Sequence, residues 1–420
     1  KFILIICLVI TVLSIGAVSA NDSNFTSNSA MDSNLDEFAG DNNINYISLD
    51  NSTETVVEIA TGDWATIKNK IESASSGDII YLEGKEYKSN GYQIVIPTNL
   101  TIIGGTSENP NLKATLDGNF LYGIFKLPNN SKVTISNVIF KNAKTNDYGG
   151  AIYGQNTIDL TLINDTFSNN KAFEGAAISI GALFNITAID CNFNGNTAFN
   201  NSLNPSHGYG GAIYGASNFN CNIIDSNFTA NLAHRSGGVV YGYSSYNLTT
   251  TNCLFENNHA YSYGDVFYSN SKSKVTIENS ILKSNGNIFY GTTGVSLNIL
   301  NSNISSNYVN ILPVISLSSN SKLNISNSKF NDNVANGMNI ISLWGVDFTI
   351  ENTEFNNNEV NGNVGGMIYL NFDNNTNSNL NIKKSSFSNN TMEGYGGVIS
   401  GDKINLLDIS DSTFINNIAK

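Results

Sequence analysis

Apolar and polar positions repeat along this chain in one fixed order, most visible from a recurring phenylalanine. Phe167, Phe193, Phe228, Phe255, Phe330, Phe355, Phe387 and Phe414 each have Asn three residues later; Phe140, Leu282 and Ile304 fill the same slot in less perfect copies. Successive spacings are 27, 26, 35, 27, 27, 22, 26, 25, 32 and 27 residues. Seven residues before the slot stands an apolar residue, as at Leu160, Ile186 and Leu248, and five before it another, as at Leu162, Ile223 and Ile277. Three before it stands an Asx, as at Asn164, Asp190, Asp225 and Asn252, with Lys384 the one exception. Apolar residues at every second position are the period of a strand. The Asx predicts a turn, because its short side chain bonds its own backbone and tolerates the left-handed conformation. A second strand opens on Gly149-Gly150-Ala151-Ile152-Tyr153 and recurs at Gly210, Gly237, Gly365 and Gly396.

Two clear strands, a short one around the Phe and three turns make one coil of a solenoid. The predicted fold is all-β: a right-handed single-stranded parallel β-helix with three strands per coil, aliphatic on aliphatic, Phe on Phe, Asn on Asn. A leucine-rich repeat of similar period would need a helical segment and an L-x-x-L-x-L order that are missing, and a propeller needs four strands per unit. Near the start, Trp64, Ile67, Ile71 and Ala74 have helical spacing with Asp63 as candidate N-cap, which predicts a helix covering one end of the core. Gly77-Asp78-Ile79-Ile80-Tyr81-Leu82 then reads as the first strand. At the far end the sequence stops inside a repeat, so the parent protein is expected to continue past Lys420. Residues 1–20 read as a signal peptide, with Lys1 before an apolar run and Val18-Ser19-Ala20 as cleavage site. Residues 21–58 read as a polar flexible leader and 59–420 as the β-helix, truncated at its C-terminal end.

Composition narrows the function classes. The 420 residues are only 13% charged, with a formal net charge of −13 and one arginine, Arg235. That balance argues against nucleic acid or an anionic membrane surface as partner. Asn fills about one position in six, far above its usual share. With Cys7 in the signal, Cys191, Cys221 and Cys253 remain; an odd count in an exported chain argues against a disulfide framework.

G-G-A-[ILV] and F-x-x-N tetrapeptides in alternation resemble the repeats of chlamydial polymorphic outer-membrane proteins and of the adhesin-like surface proteins of methanogenic archaea. The archaeal group is the nearer likeness: a W-x-x-I helix at Trp64–Ile67, G-D-x-I-Y-L at Gly77–Leu82, Leu100-Thr101-Ile102-Ile103-Gly104, Leu116-Asp117-Gly118-Asn119, then the repeats. The likeness spans about residues 60–420. It implies a pectin-lyase-like β-helix on the cell surface, secreted or extracellular, that adheres to a host or microbial glycan or protein. Membrane or wall attachment is expected only through segments outside this chain.

The same fold also carries polysaccharide lyases and glycoside hydrolases, so an enzyme is the alternative. Asp190 and Asp225 fall in one column of adjacent coils, about 4.8 Å apart by strand spacing, within reach of a carboxylate pair. The plainer reading is two members of an Asx turn ladder. Arg235 is a weak candidate base beside His234, read more simply as a loop cation. His207, His234 and His259 lack metal-ligand spacing, and neither metal nor cofactor is expected. Binding is the stronger expectation. The repeat lengthens at 198–209 and 371–379, and Tyr209, Tyr241, Tyr243, Tyr246, Tyr261 and Tyr263 cluster nearby, where aromatic faces suit sugars or protein surfaces. Against that, Tyr153, Tyr214, Tyr241, Tyr268, Tyr290 and Tyr369 read as a structural stack.

Overall fold

The computed structural model describes residues 55–59, 62–371, 378–402 and 404–420. The expected signal peptide and most of the leader lie outside these residues. The described unit begins at Thr55. Its first strand, Val56–Glu58, pairs in parallel with Ile79–Tyr81. The β-helix therefore starts a few residues before the expected boundary at 59.

Thirteen parallel strands carrying the Phe slot stack in one continuous sheet. The register follows the repeat: Phe140 pairs with Phe167, Phe167 with Phe193, Phe193 with Phe228 and Phe228 with Phe255. The winding is the right-handed parallel β-helix expected of parallel crossovers. Each coil has three sides, divided differently from the expectation. The G-G-A-I-Y strand and the aliphatic strand share one large sheet, and in three coils they fuse into single twelve-residue strands, Ile152–Ile163, Ile178–Ile189 and Ile213–Ile224. The Phe strand is the second side. The third is a short strand after the Asn of F-x-x-N, such as Lys171–Ala172 or Tyr308–Val309.

Two left-handed columns bend each coil around its Phe strand. Residues three before the Phe slot, from Asn137 to Asp411, all have φ between 47° and 59°. Residues two after it, including Asn169, Gly195, Ala230, Asn257 and Ser284, have φ between 53° and 64°. Asn tolerates that region better than most L-residues. The next residue is the buried Asn of F-x-x-N. Asn170 Nδ2 donates to Asn196 Oδ1 at 3.0 Å and to the Phe140 carbonyl at 3.0 Å, while Asn196 Oδ1 also accepts from Asn170 N at 3.2 Å. The same bonds recur from coil to coil up to Asn417. Each amide interior to the ladder makes these bonds on both sides, so burial leaves no polar atom of it unpaired.

A further inside column, two before the Phe, holds Asp165, Cys191, Ser226, Cys253, Ser280 and Ser302. Ser226 Oγ accepts from Cys191 N at 3.0 Å and Ser280 Oγ from Cys253 N at 3.1 Å. The cysteines are thus small core residues, and all three thiols are free and buried. The paired glycines answer two demands. Gly210 and Gly237 have φ near 70°. A Cβ on Gly211 would lie 2.1 Å from the Gly238 carbonyl oxygen of the next coil.

The capping helix forms over Trp64–Glu72, with Asp63 accepting from Thr66 N at 3.0 Å. Trp64, Ile67 and Ile71 are buried in the same core as the coil interior. In the last coil the inside residues Leu407, Ile409 and Phe414 remain 41–47% exposed.

Candidate functional site

The loops joining the third side to the G-G strand carry Phe120, Tyr122, Tyr148, Tyr261 and Tyr263, and with Tyr308 on the third strand itself and Tyr243 just past the G-G strand they make up an aromatic tract. Phe120, Tyr122, Tyr148, Tyr243, Tyr261, Tyr263 and Tyr308 are all exposed. The coils of Phe120 and Tyr308 are seven strand spacings apart, so the tract runs roughly 34 Å along the axis. Beneath it lies the Tyr stack. Tyr214, Tyr241, Tyr268 and Tyr290 pack face to face with centroids 5.6, 4.8 and 5.8 Å apart. Ser179 interrupts this column between Tyr153 and Tyr214, and Tyr148 spans the gap by packing on both, at 5.9 and 6.4 Å. Ser316 and Ser342 separate Tyr369 from the rest.

The insertion at 198–209 leaves the coil after Ala198 and folds back along the tract. It delivers His207, whose Nδ1 lies 2.6 Å from Glu174 Oε1 and whose ring stacks on Phe173 at 4.9 Å. Glu174 is 4% exposed, and its Oε2 is buried without a hydrogen-bond partner. Burial pushes the Glu174 carboxyl up to about 8, against the lowering effects of the Tyr209 backbone N–H and of Arg235. The Arg235 guanidinium lies over the Tyr209 ring, 5.2 Å from its centroid. A buried carboxyl, an imidazole and a stacked arginine thus meet under the tract. Sequence reasoning missed Glu174. Its signal was a charged residue standing where other coils have Tyr, Ser or Val before the first Gly.

Among the residues singled out from the sequence, Tyr209, Tyr243, Tyr261 and Tyr263 stand on the tract. Tyr241 belongs to the layer beneath, 4.4 Å from the Tyr209 ring. Tyr246 is a correction. It is 3% exposed and stacks inside the coil on Phe219 at 4.7 Å, its hydroxyl donating to the Tyr268 carbonyl. The ring points inward because Gly242 leaves space for it; a Cβ there would lie 2.1 Å from the Tyr246 ring. Asp190 and Asp225 occupy the left-handed turn column on adjacent coils, away from the Glu174 cluster. Asp225 Oδ1 accepts from Asn252 Nδ2 at 3.0 Å, the bond Asn137 makes with Asn164 in the same column. Burial, then the charge of Asp225, raises the Asp190 carboxyl. His234 Nδ1 contacts Asn200 Oδ1 at 3.2 Å and His259 Nδ1 contacts Asp265 Oδ1 at 2.9 Å, so the three histidines sit in separate contacts.

Fold and site together define a parallel β-helix with a long aromatic tract on one side. No family model matches the chain. Over 189 residues it is 29% identical to the probable autotransporter YfaL of Escherichia coli, a match covering 37% of this chain and 15% of that protein. Among solved structures, the catalytic domain of a GH87 alpha-1,3-glucanase aligns with 87% of this chain and 70% of its own at 10% identity and a TM-score of 0.40. The alginate lyase AlyF-OU02 aligns with 88% and 98% at 12% identity and 0.35. The Streptococcus pneumoniae surface protein and adhesin PfbA aligns with 87% and 99% at 10% identity and 0.29.

Proposed function

We propose that this chain is an exported, cell-surface β-helix of adhesin type that holds an extended glycan along its aromatic tract without turning it over. The observation that carries the reading is the tract itself, roughly 34 Å of exposed rings at multiples of the strand spacing. Aromatic faces stack on the C–H faces of sugars, and a rigid β-face presents them already ordered. The strand spacing is close to the length of one pyranose in an extended chain. A partial likeness to an autotransporter supports export to the surface. The test is a glycan panel with binding and cleavage both recorded. A retained ligand, lost in Tyr243→Ala/Tyr261→Ala with the fold intact, is the expected result; shortened or unsaturated products would overturn the non-catalytic reading.

A second reading, a polysaccharide lyase or hydrolase, is favoured by the Glu174–His207 pair beside Arg235. A carboxyl raised towards neutrality next to an imidazole is the environment of a general acid or base. Under this reading Glu174→Gln abolishes product formation and leaves binding unchanged.

A further inference from the structure

One coil is shorter than its neighbours, and the missing residues open a slot across the tract. Phe267 comes nine positions after Asn258, but Phe289 only four after Asn285. The shortfall accounts for the 22-residue spacing between Leu282 and Ile304. The deleted part is the loop that elsewhere carries tract residues such as Tyr261 and Tyr263. A groove of about 870 Å³ lies there, within the usual range for ligand sites.

Its walls are fixed in place. The buried Asn ladder sets the register: His259, Gly286 and Tyr308 each directly follow a ladder Asn on three successive coils. His259 forms one wall, held at Nδ1 by Asp265 Oδ1 at 2.9 Å, with Tyr261 edge-on at 5.2 Å. Tyr308 forms the other, its hydroxyl accepting from Asn336 Nδ2 at 2.6 Å. Between them stands Gly286, where a Cβ would lie 2.0 Å from Asp265 Oδ2, so that column carries no side chain. The floor is closed by its own bonds. Asp265 Oδ2 accepts from Asn287 N at 2.5 Å and Asn287 Oδ1 from Gly264 N at 2.8 Å. His259 Nε2 and the Tyr261 hydroxyl are left for a guest, and the Tyr308 hydroxyl, which accepts from Asn336, keeps its own proton to donate.

Two strand spacings put the walls about 9.6 Å apart. A ring stacked between two aromatic faces needs about 7–8 Å, twice the carbon–carbon contact distance. We propose that the slot left by the short coil is a subsite for one pyranose ring of a glycan chain, sandwiched between His259 with Tyr261 and Tyr308. This rests on the glycan-binding reading of the tract and names where one ring is gripped. A sugar fits better than a purely apolar guest, because Ser262, Ser284 and Ser306 line the groove with the tyrosines.

The experiment is calorimetry with cellotetraose, chitotetraose and tetragalacturonate on the purified chain and on Tyr308→Ala, His259→Gln and Tyr148→Ala. At least one tetrasaccharide should bind, and Tyr308→Ala and His259→Gln should each weaken it about ten-fold or more. Tyr148→Ala, on the tract but outside the slot, should weaken it less. Circular dichroism melting of each variant separates lost contact from lost fold. Unchanged affinity in both slot variants, with the wild type still binding, would overturn the subsite and leave the tract reading standing. No binding of any of the three by the wild type would overturn both.

Discussion

Asn performs two separate tasks in this protein. On the turns it accepts a left-handed backbone; one column over, it is a buried amide whose four hydrogen-bonding positions are taken by neighbouring coils. The first task tolerates substitutes, as Ala230, Ser284 and Lys384 show with φ of 53°, 55° and 50°. Lys384 is a place to gain stability: Lys384→Asn should raise the unfolding free energy, measured by urea denaturation, by about 0.5–1 kcal/mol, the usual relief at a non-glycine left-handed site. The second is met by Asn in every coil from Asn170 to Asn417, with Ala143 only at the end of the ladder. Asn258→Ala would take away the acceptor of Asn231 N and Asn231 Nδ2 and the amide that donates to the Phe228 carbonyl, a loss of at least about 3 kcal/mol in the same measurement.

Asp165 gives the molecule a pH signature. It is fully buried in the Ser and Cys column, accepting from Val138 N at 2.8 Å, and burial raises its carboxyl from 3.8 to about 8. The folded state binds this proton more tightly than the unfolded state. Its contribution to stability is therefore complete below about pH 4 and is lost as pH rises towards 8. Glu174 acts in the same sense. Asp165→Ser, which restores the commonest residue of the column, should flatten the fall in melting temperature between pH 5 and 8; an unchanged slope would refute this origin.

Among the elements, those with a period were legible and those without were not. The aliphatic strand, the Phe strand and the helix are read from alternation, from a recurring slot and from 3.6-residue spacing with a cap. The third face was not, because two-residue strands such as His259–Ala260 carry no period. Fusion of the G-G-A-I-Y and aliphatic strands was also hidden, since a loop-like stretch such as Gly154–Asn156 reads as a break in sequence. The tract was half legible. Its tyrosines stood out, but burial of Tyr246 depended on the absence of a Cβ at Gly242, and the Glu174–His207 contact spans 33 residues across an irregular insertion. At the N-terminal end the helix acts as a lid on the core. Trp64 is 1% exposed and donates through Nε1 to the Tyr92 carbonyl at 2.7 Å. Trp64→Ala should destabilise by about 3–5 kcal/mol, read by thermal melting.

Across the whole molecule, a binding tract laid along a solenoid axis relates affinity to ligand length. Each further sugar ring meets another coil, so affinity for a matching glycan should climb with chain length and level off once the ligand spans roughly 34 Å. Contact by stacking on tyrosines also predicts weak dependence on salt. A calorimetric series from disaccharide to decasaccharide checks both; a plateau at the disaccharide would confine recognition to one pocket.

The Asn ladder also gives the molecule a mechanical character. Its amide bonds run along the solenoid axis, parallel to the strand-to-strand bonds of the sheets. Tension between the two ends therefore pulls directly on every inter-coil bond of one rung, and rungs open singly rather than together. Each event frees one repeat, about 90 Å of contour for 27 residues of extended chain. Single-molecule stretching should show a stepped trace whose step lengths follow the repeat lengths of 22 to 35 residues, in which each released coil dissipates load and spares the rest.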